Sequence, residues 1–219
     1  MAGANSTPSR AGRARVATYW CASVAALAVA LGALVIDHAP ASVVPVAVLS
    51  QAGPTRAHVA TFMAVPRSGP EELLIPALGI HIRVGRLGLQ PDGAVEVPAT
   101  THTVGWFDRG VTPGQVGSAV ILGHVDSYLG PGVFFDLKNL KANDRITVIL
   151  SDGIVTRFRV TAVMQFAKTS FPDQLVFGSH GVRALQLVTC GGPFDSSTGH
   201  YLANVVVFSQ LVSVARPTK

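Results

Sequence analysis

The sequence predicts an all-β domain: about eight strands closed into a barrel with short helices, preceded by one N-terminal transmembrane helix. Three observations predict it. From about residue 71 onward, short apolar runs are separated by Gly- and Pro-bearing turns. Residues 154–163 alternate apolar and polar side chains with a period of two, the pattern of a half-buried strand. Residues 16–36 contain no charged side chain. At about 1.5 Å per residue, a helix of that length crosses the ~30 Å hydrocarbon layer.

Residues 1–15 carry Arg10, Arg13 and Arg15, which supply three of the net +5 charges. Positive charge before an apolar span keeps that end in the cytoplasm. Residues 16–36 are then a single-pass anchor, with Tyr19 and Trp20 near one membrane interface. A cleaved signal peptide is the competing reading, but its apolar region runs only about 7–15 residues. Residues 37–70 form a Pro/Ala-rich stalk, interrupted by Pro40, Pro45, Pro54, Pro66 and Pro70. Residues 71–214 make the extracytoplasmic domain, long enough for one real core.

Within that domain, Leu73 to Leu78, Ile80 to Leu89 and Ala94 to Val97 read as strands, the last two joined by the turn Pro91-Asp92-Gly93. Ser118 to Leu122 and Arg145 to Leu150 follow, then the turn Ser151-Asp152-Gly153. In the next run, Ile154, Thr156, Phe158, Val160 and Ala162 share one face, and Arg157, Arg159 and Thr161 the other. Arg183 to Cys190 and Tyr201 to Ser213 complete the set. Val133 to Leu140 and Phe171 to Phe177 each allow a turn or two of helix. Closing such strands into a barrel removes exposed edges.

Composition narrows the function. Charged residues are 13% of the chain and hydrophobic ones 48%, which excludes a disordered polyelectrolyte. The basicity left after residue 15 is too small for a phosphate-binding surface, so no nucleic-acid partner is expected. Two cysteines exclude a disulfide framework and a four-cysteine zinc site. Beyond the anchor, which holds Cys21, one cysteine remains: Cys190, at the end of an apolar strand and before Gly191-Gly192. A lone thiol in an oxidising compartment, beside glycines that permit close approach, fits a nucleophile; a buried inert thiol is the competing reading. His124 also ends a strand, in Gly123-His124-Val125-Asp126-Ser127. A thiol and an imidazole at two strand ends fit a nucleophile and its proton partner. Asp126 reads as a loop-shaping residue that binds backbone N–H groups, and no metal or other cofactor is expected.

Ile121-Leu122-Gly123-His124-Val125-Asp126-Ser127 and Leu187-Val188-Thr189-Cys190-Gly191-Gly192 together resemble the sortases, most closely the actinobacterial class F (class E-like) group. Further matches lie at Leu74-Ile75-Pro76, Val104-Gly105-Trp106, Pro113 to Gly117, Phe171-Pro172 and Asn204 to Val207, so that the resemblance covers nearly all of residues 70–210. It implies an eight-stranded sortase barrel and a membrane-bound cysteine transpeptidase. Such an enzyme cleaves a C-terminal Leu-Pro-x-Thr-Gly-like sorting signal on secreted proteins and passes the acyl group to a peptidoglycan-precursor amine. It also implies Cys190 as nucleophile and His124 as general acid/base. The family's arginine on the strand after the cysteine is missing: no arginine lies between Cys190 and Val214. His200 lies in that stretch and is the substitute donor the sequence offers. The gap keeps two alternatives open, a hydrolytic thiol peptidase and a sortase-fold binding module without strong catalysis.

Overall fold

The computed structural model describes residues 62–216. The strands are β1 (Pro70–Ile75), β2 (Ile80–Leu87), β3 (Val104–Phe107), β4 (Gly117–Gly123), β5 (Asp126–Ser127), β6 (Gly130–Pro131), β7 (Arg145–Leu150), β8 (Val155–Ala167), β9 (Arg183–Asp195) and β10 (His200–Ala215). Eight of them close into a barrel in the order β1-β2-β3-β4-β9-β10-β8-β7; β5 and β6 pair separately as a small hairpin. The neighbours β2/β3 and β4/β9 run parallel, and all other barrel neighbours are antiparallel. Helix is confined to α1 (Asp173–Phe177) and short 3₁₀ turns at Pro76–Leu78, Leu137–Asn139 and Lys168–Ser170.

The period-two expectation for residues 154–163 holds. Ile154, Thr156, Phe158 and Val160 are buried, while Arg157, Arg159 and Thr161 face water. The barrel interior is filled by residues of matching parity on the other strands, among them Leu73, Ile121, Ile146, Leu185, Leu187 and Val207. A second apolar group covers the opposite side of the β4–β9–β10 sheet: Val120, Val188 and Val206 pack with Val176 of α1 and several phenylalanines. The α1 segment thus shields the outer face of the same three strands.

Several elements differ from expectation. The run from Leu73 is cut at Ile75, because Pro76 has no N–H to give the ladder and starts a 3₁₀ turn instead. Ala94 to Val97 is not a strand but contributes one bridge, Leu89 to Val95. The short strand Val104–Phe107 takes its place in the barrel. The helical reading of Val133 to Leu140 shrinks to Leu137–Asn139. The end of the segment read as stalk packs on the barrel: Val65 is buried, its carbonyl accepts Gln115 Nε2 at 3.1 Å, and Arg183 donates to the Met63 carbonyl at 3.0 Å. Among the described residues no helix is long and apolar enough to cross a membrane. The predicted anchor, residues 16–36, and most of the stalk lie outside the described residues.

Candidate active site

Cys190 lies on β9, and His124 is the first residue after its parallel neighbour β4. The β4/β9 register runs from Gly117 opposite Arg183 to Leu122 opposite Val188. His124 lies two residues past Leu122, and Cys190 two past Val188. Both residues thus follow closely on the last paired positions of two neighbouring strands, which lie about 4.8 Å apart in a sheet. Cys190 is half-buried and unpaired.

The loop after β4 is held firmly. The His124 carbonyl accepts the Phe134 N–H at 3.0 Å, and the Val125 carbonyl accepts the Gly132 N–H at 2.8 Å. Gly132 must be glycine here, since a Cβ would lie 2.5 Å from the His124 carbonyl oxygen. The ring is fixed too, with Nε2 2.8 Å from the Pro98 carbonyl oxygen. A carbonyl oxygen can only accept, so Nε2 carries a proton, which leaves Nδ1 as the nitrogen free to exchange one. The imidazole is thereby bonded to Pro98 and not to the sulfur.

Beside the thiol is a cavity of about 300 Å³. Cys190 lines it with Thr189, Gly191 and Gly192 of β9, Tyr201 and Val205 of β10, Gln165 of β8, and Val125, Phe135 and Lys138. Val125, next to His124, forms part of the wall; His124 itself does not. The Thr189 hydroxyl on this wall is buried with no hydrogen-bond partner.

Asp126 departs from its expected role. Its carboxylate accepts the Tyr201 hydroxyl at 2.5 Å, a contact between residues 75 apart that ties the His124 loop to the strand after Cys190. Tyr201 also meets Phe194 edge-on, with ring centroids 5.2 Å apart. The phenol is pushed above its ordinary value, first by the hydrogen bond to Asp126, then by burial, by the Asp126 charge and by the nearby Cys190. Folded Tyr201 thus keeps its proton to higher pH than in the unfolded chain. The stabilisation from this contact is complete below about pH 10, the ordinary phenol value, and is lost as pH rises through the raised folded value. Ultraviolet titration in a Tyr19→Phe/Tyr128→Phe background is expected to show Tyr201 ionising above the ordinary range, and Asp126→Asn to move it back toward that range. An unchanged titration in Asp126→Asn would refute the tie.

The structure does not bring His200 to the thiol. It is exposed at the start of β10 opposite Asp195, whereas Cys190 is opposite Asn204. Four residues of strand separate His200 from that level, about 13 Å at ~3.3 Å per residue. Arg183 is at the far end of β9, where it donates to Met63 and Gly114 and lies over Phe62. Lys138 is the lysine on the cavity wall. Sequence reasoning missed it because an exposed lysine between the buried Leu137 and Leu140 looks like any solvated face.

The Sortase domain family model matches residues 73–212. Comparison with curated protein sequences finds no match. Among solved structures, sortase C1 from Streptococcus agalactiae superposes with TM-score 0.50 at 19% identity, over 71% of this chain and 72% of that one. Sortase A from Corynebacterium diphtheriae gives TM-score 0.51 at 18% identity, over 71% of this chain and 65% of that one. Sortase A from Listeria monocytogenes gives TM-score 0.50 at 14% identity, over 70% of this chain and 93% of that one. At such identities the structural likeness is one of fold.

Proposed function

The chain belongs to the sortase family, and from that premise we propose that it is a membrane-anchored cysteine transpeptidase of the actinobacterial class F kind. In this reading residues 16–36 hold it in the cell membrane, and residues 71–214 work on the outer side. The substrate is a secreted protein with a C-terminal sorting signal of Leu-Pro-x-Thr-Gly type; the acceptor is an amine of a peptidoglycan precursor. The observation that carries the reading is that Cys190 on β9 and His124 just past the end of its parallel neighbour β4 both follow the last pair of that ladder, Leu122 with Val188, with the sulfur beside an open cavity.

The chemistry runs in two balanced halves. The Cys190 thiolate attacks the scissile carbonyl carbon and forms a C–S bond, moving an electron pair onto the carbonyl oxygen. As the carbonyl re-forms, the C–N bond breaks and the leaving amine takes a proton from the His124 imidazolium. The acceptor amine then attacks the thioester and gives its proton to His124, and the thiolate departs. Only a few per cent of a free cysteine is thiolate at pH 7, so an imidazolium beside it raises the reactive fraction. Splitting one amide exchange into two acyl transfers through a thioester is covalent catalysis.

The test is product analysis with a sorting-signal peptide. A thioester adduct on Cys190, and an amide product when an amine is added, are the expected results. Free acid alone, with and without amine, would make the protein a hydrolytic peptidase instead. One observation favours a binding module: no arginine lies on β9 or β10 after Cys190. Complete absence of the thioester would support that second reading and overturn the first.

A further inference from the structure

We propose that the side-chain amide of Asn204 donates the hydrogen bond that holds the oxyanion formed when an acyl carbon joins the Cys190 sulfur. The inference rests on Cys190 being the nucleophile and goes beyond it by assigning the donor.

Register carries the argument. Asn204 is the direct cross-strand partner of Cys190 in the antiparallel β9/β10 pair. Directly opposed residues have Cβ atoms about 4.5–5.5 Å apart and project to the same side of the sheet. That side is the outer one, because the next pair of the same parity, Val188 and Val206, belongs to the group under α1. Both Cys190 and Asn204 are half-buried, so each keeps part of its side chain open to a ligand on that side, although Asn204 does not line the cavity described above. An oxyanion donor must lie about 2.7–3.1 Å from the developing charge. An amide reaching out from the neighbouring strand spans that gap.

The register is itself built by an irregularity. Near the turn, Phe194 pairs with Tyr201; one step on, Gly191 pairs with Ala203. Between them β9 uses one more residue than β10, so Gly192 and Pro193 lie opposite Leu202 alone. Continued without that extra residue, the pairing from the turn would set Val205 opposite Cys190. The bulge sets Asn204 there instead. Gly192 makes it possible: its φ is +76°, and a Cβ would lie 2.8 Å from that of Ala203. A bulge that re-aims a side chain beside a reactive group is a recurring use of this irregularity.

The Gln165 amide and the Thr189 hydroxyl line the cavity and are unpartnered among the described residues, but both belong to the Val205 level and so have the opposite parity to Cys190 and Asn204. The remaining donors are engaged or distant. The Tyr201 hydroxyl is given to Asp126. His200 is four residues down the strand. Lys138 Nζ lies over the Phe135 ring, on a segment outside the β9/β10 pair. The side-chain hydrogen bonds of β10 go from Tyr201 to Asp126 and from Ser209 to Leu185, and the Asn204 amide makes none among the described residues.

The experiment measures single-turnover thioester formation on a Leu-Pro-x-Thr-Gly peptide by wild type, Asn204→Ala and Asn204→Asp. Removal of an oxyanion donor lowers the rate about 10²–10³-fold, and both variants are expected to show it. Alkylation of Cys190 by iodoacetamide creates no oxyanion and is expected to stay at the wild-type rate in Asn204→Ala; Asn204→Asp, which places a negative charge beside the thiolate, is not used for this control. Affinity for an N-acyl amino aldehyde, which adds the thiol to give a tetrahedral adduct, is expected to fall with the acylation rate. Acylation by Asn204→Ala within about threefold of wild type would overturn the proposal, as would a parallel fall in alkylation. If wild type forms no thioester, the transpeptidase reading fails by itself. The aldehyde then still decides on Asn204: equal affinity for wild type and Asn204→Ala overturns the assignment, and weaker binding by the variant sustains it.

Discussion

Cys190→Ala is expected to abolish thioester formation on a sorting-signal peptide, with no turnover above the uncatalysed background. Cys190 is the free cysteine among the described residues, so no neighbouring sulfur can substitute for it. Alanine keeps the backbone and removes only a half-buried sulfur from a wall that already borders a cavity of about 300 Å³. The strand should therefore stay paired, since its ladder depends on backbone groups and on the glycines beside it. Mass spectrometry reads the adduct, and circular dichroism with a thermal melt reads the fold. A folded variant that turns over the peptide at the wild-type rate would end the case for a cysteine enzyme. A variant that binds the peptide without cleaving it would separate recognition from chemistry and leave the nucleophile assignment standing. Cys190→Ser is expected to be nearly as inactive, because a hydroxyl gives far less anion at neutral pH and makes a poorer leaving group than a thiolate.

What could be seen in the sequence follows from which interactions are local. The alternation from Ile154 to Val160 was legible because one face of β8 is wet and the other fills the barrel, so each residue reports its own side. The turn at Pro91-Asp92-Gly93 was legible for the same reason: Gly93 has φ +87° and the Ala94 N–H is held by the Asp92 carboxylate within three residues. The strand after it was not, because Ala94 to Val97 alternates well but finds only the bridge from Val95 to Leu89. Val104–Phe107 does not read as a strand because four residues, one of them Gly, are too few to show a period. The candidate site divides in the same way. Cys190 and His124 announce themselves by residue type at strand ends. Asn204 does not, because its importance comes from a register that one bulged residue decides, on the far side of a hairpin. The tie between Tyr201 and Asp126 joins residues 75 positions apart, and no local pattern encodes it.

His124→Ala is expected to slow acylation by about 10²–10⁴-fold, the usual loss when a positioned acid/base is removed. The fold should tolerate it. The ring makes one hydrogen bond, to the Pro98 carbonyl, and such a bond contributes about 0.5–1.5 kcal/mol. The loop itself is held by the backbone bonds from Phe134 to His124 and from Gly132 to Val125, which alanine keeps. The informative comparison is between leaving groups. An amide must have its nitrogen protonated as the C–N bond breaks, because an amide anion is far too basic to leave. A thioester or activated ester releases a stable anion and needs no such proton. If His124 is the acid, the variant should lose most of its rate on the amide and much less on a thioester of the same acyl group. Added imidazole should recover part of the amide rate. Equal losses on both substrates would mean that His124 acts on the thiol or on the loop geometry and not on the leaving nitrogen. In that case the proton must come from another group, and the cavity wall beside Cys190 offers Lys138 and the Tyr201 hydroxyl as the next residues to remove.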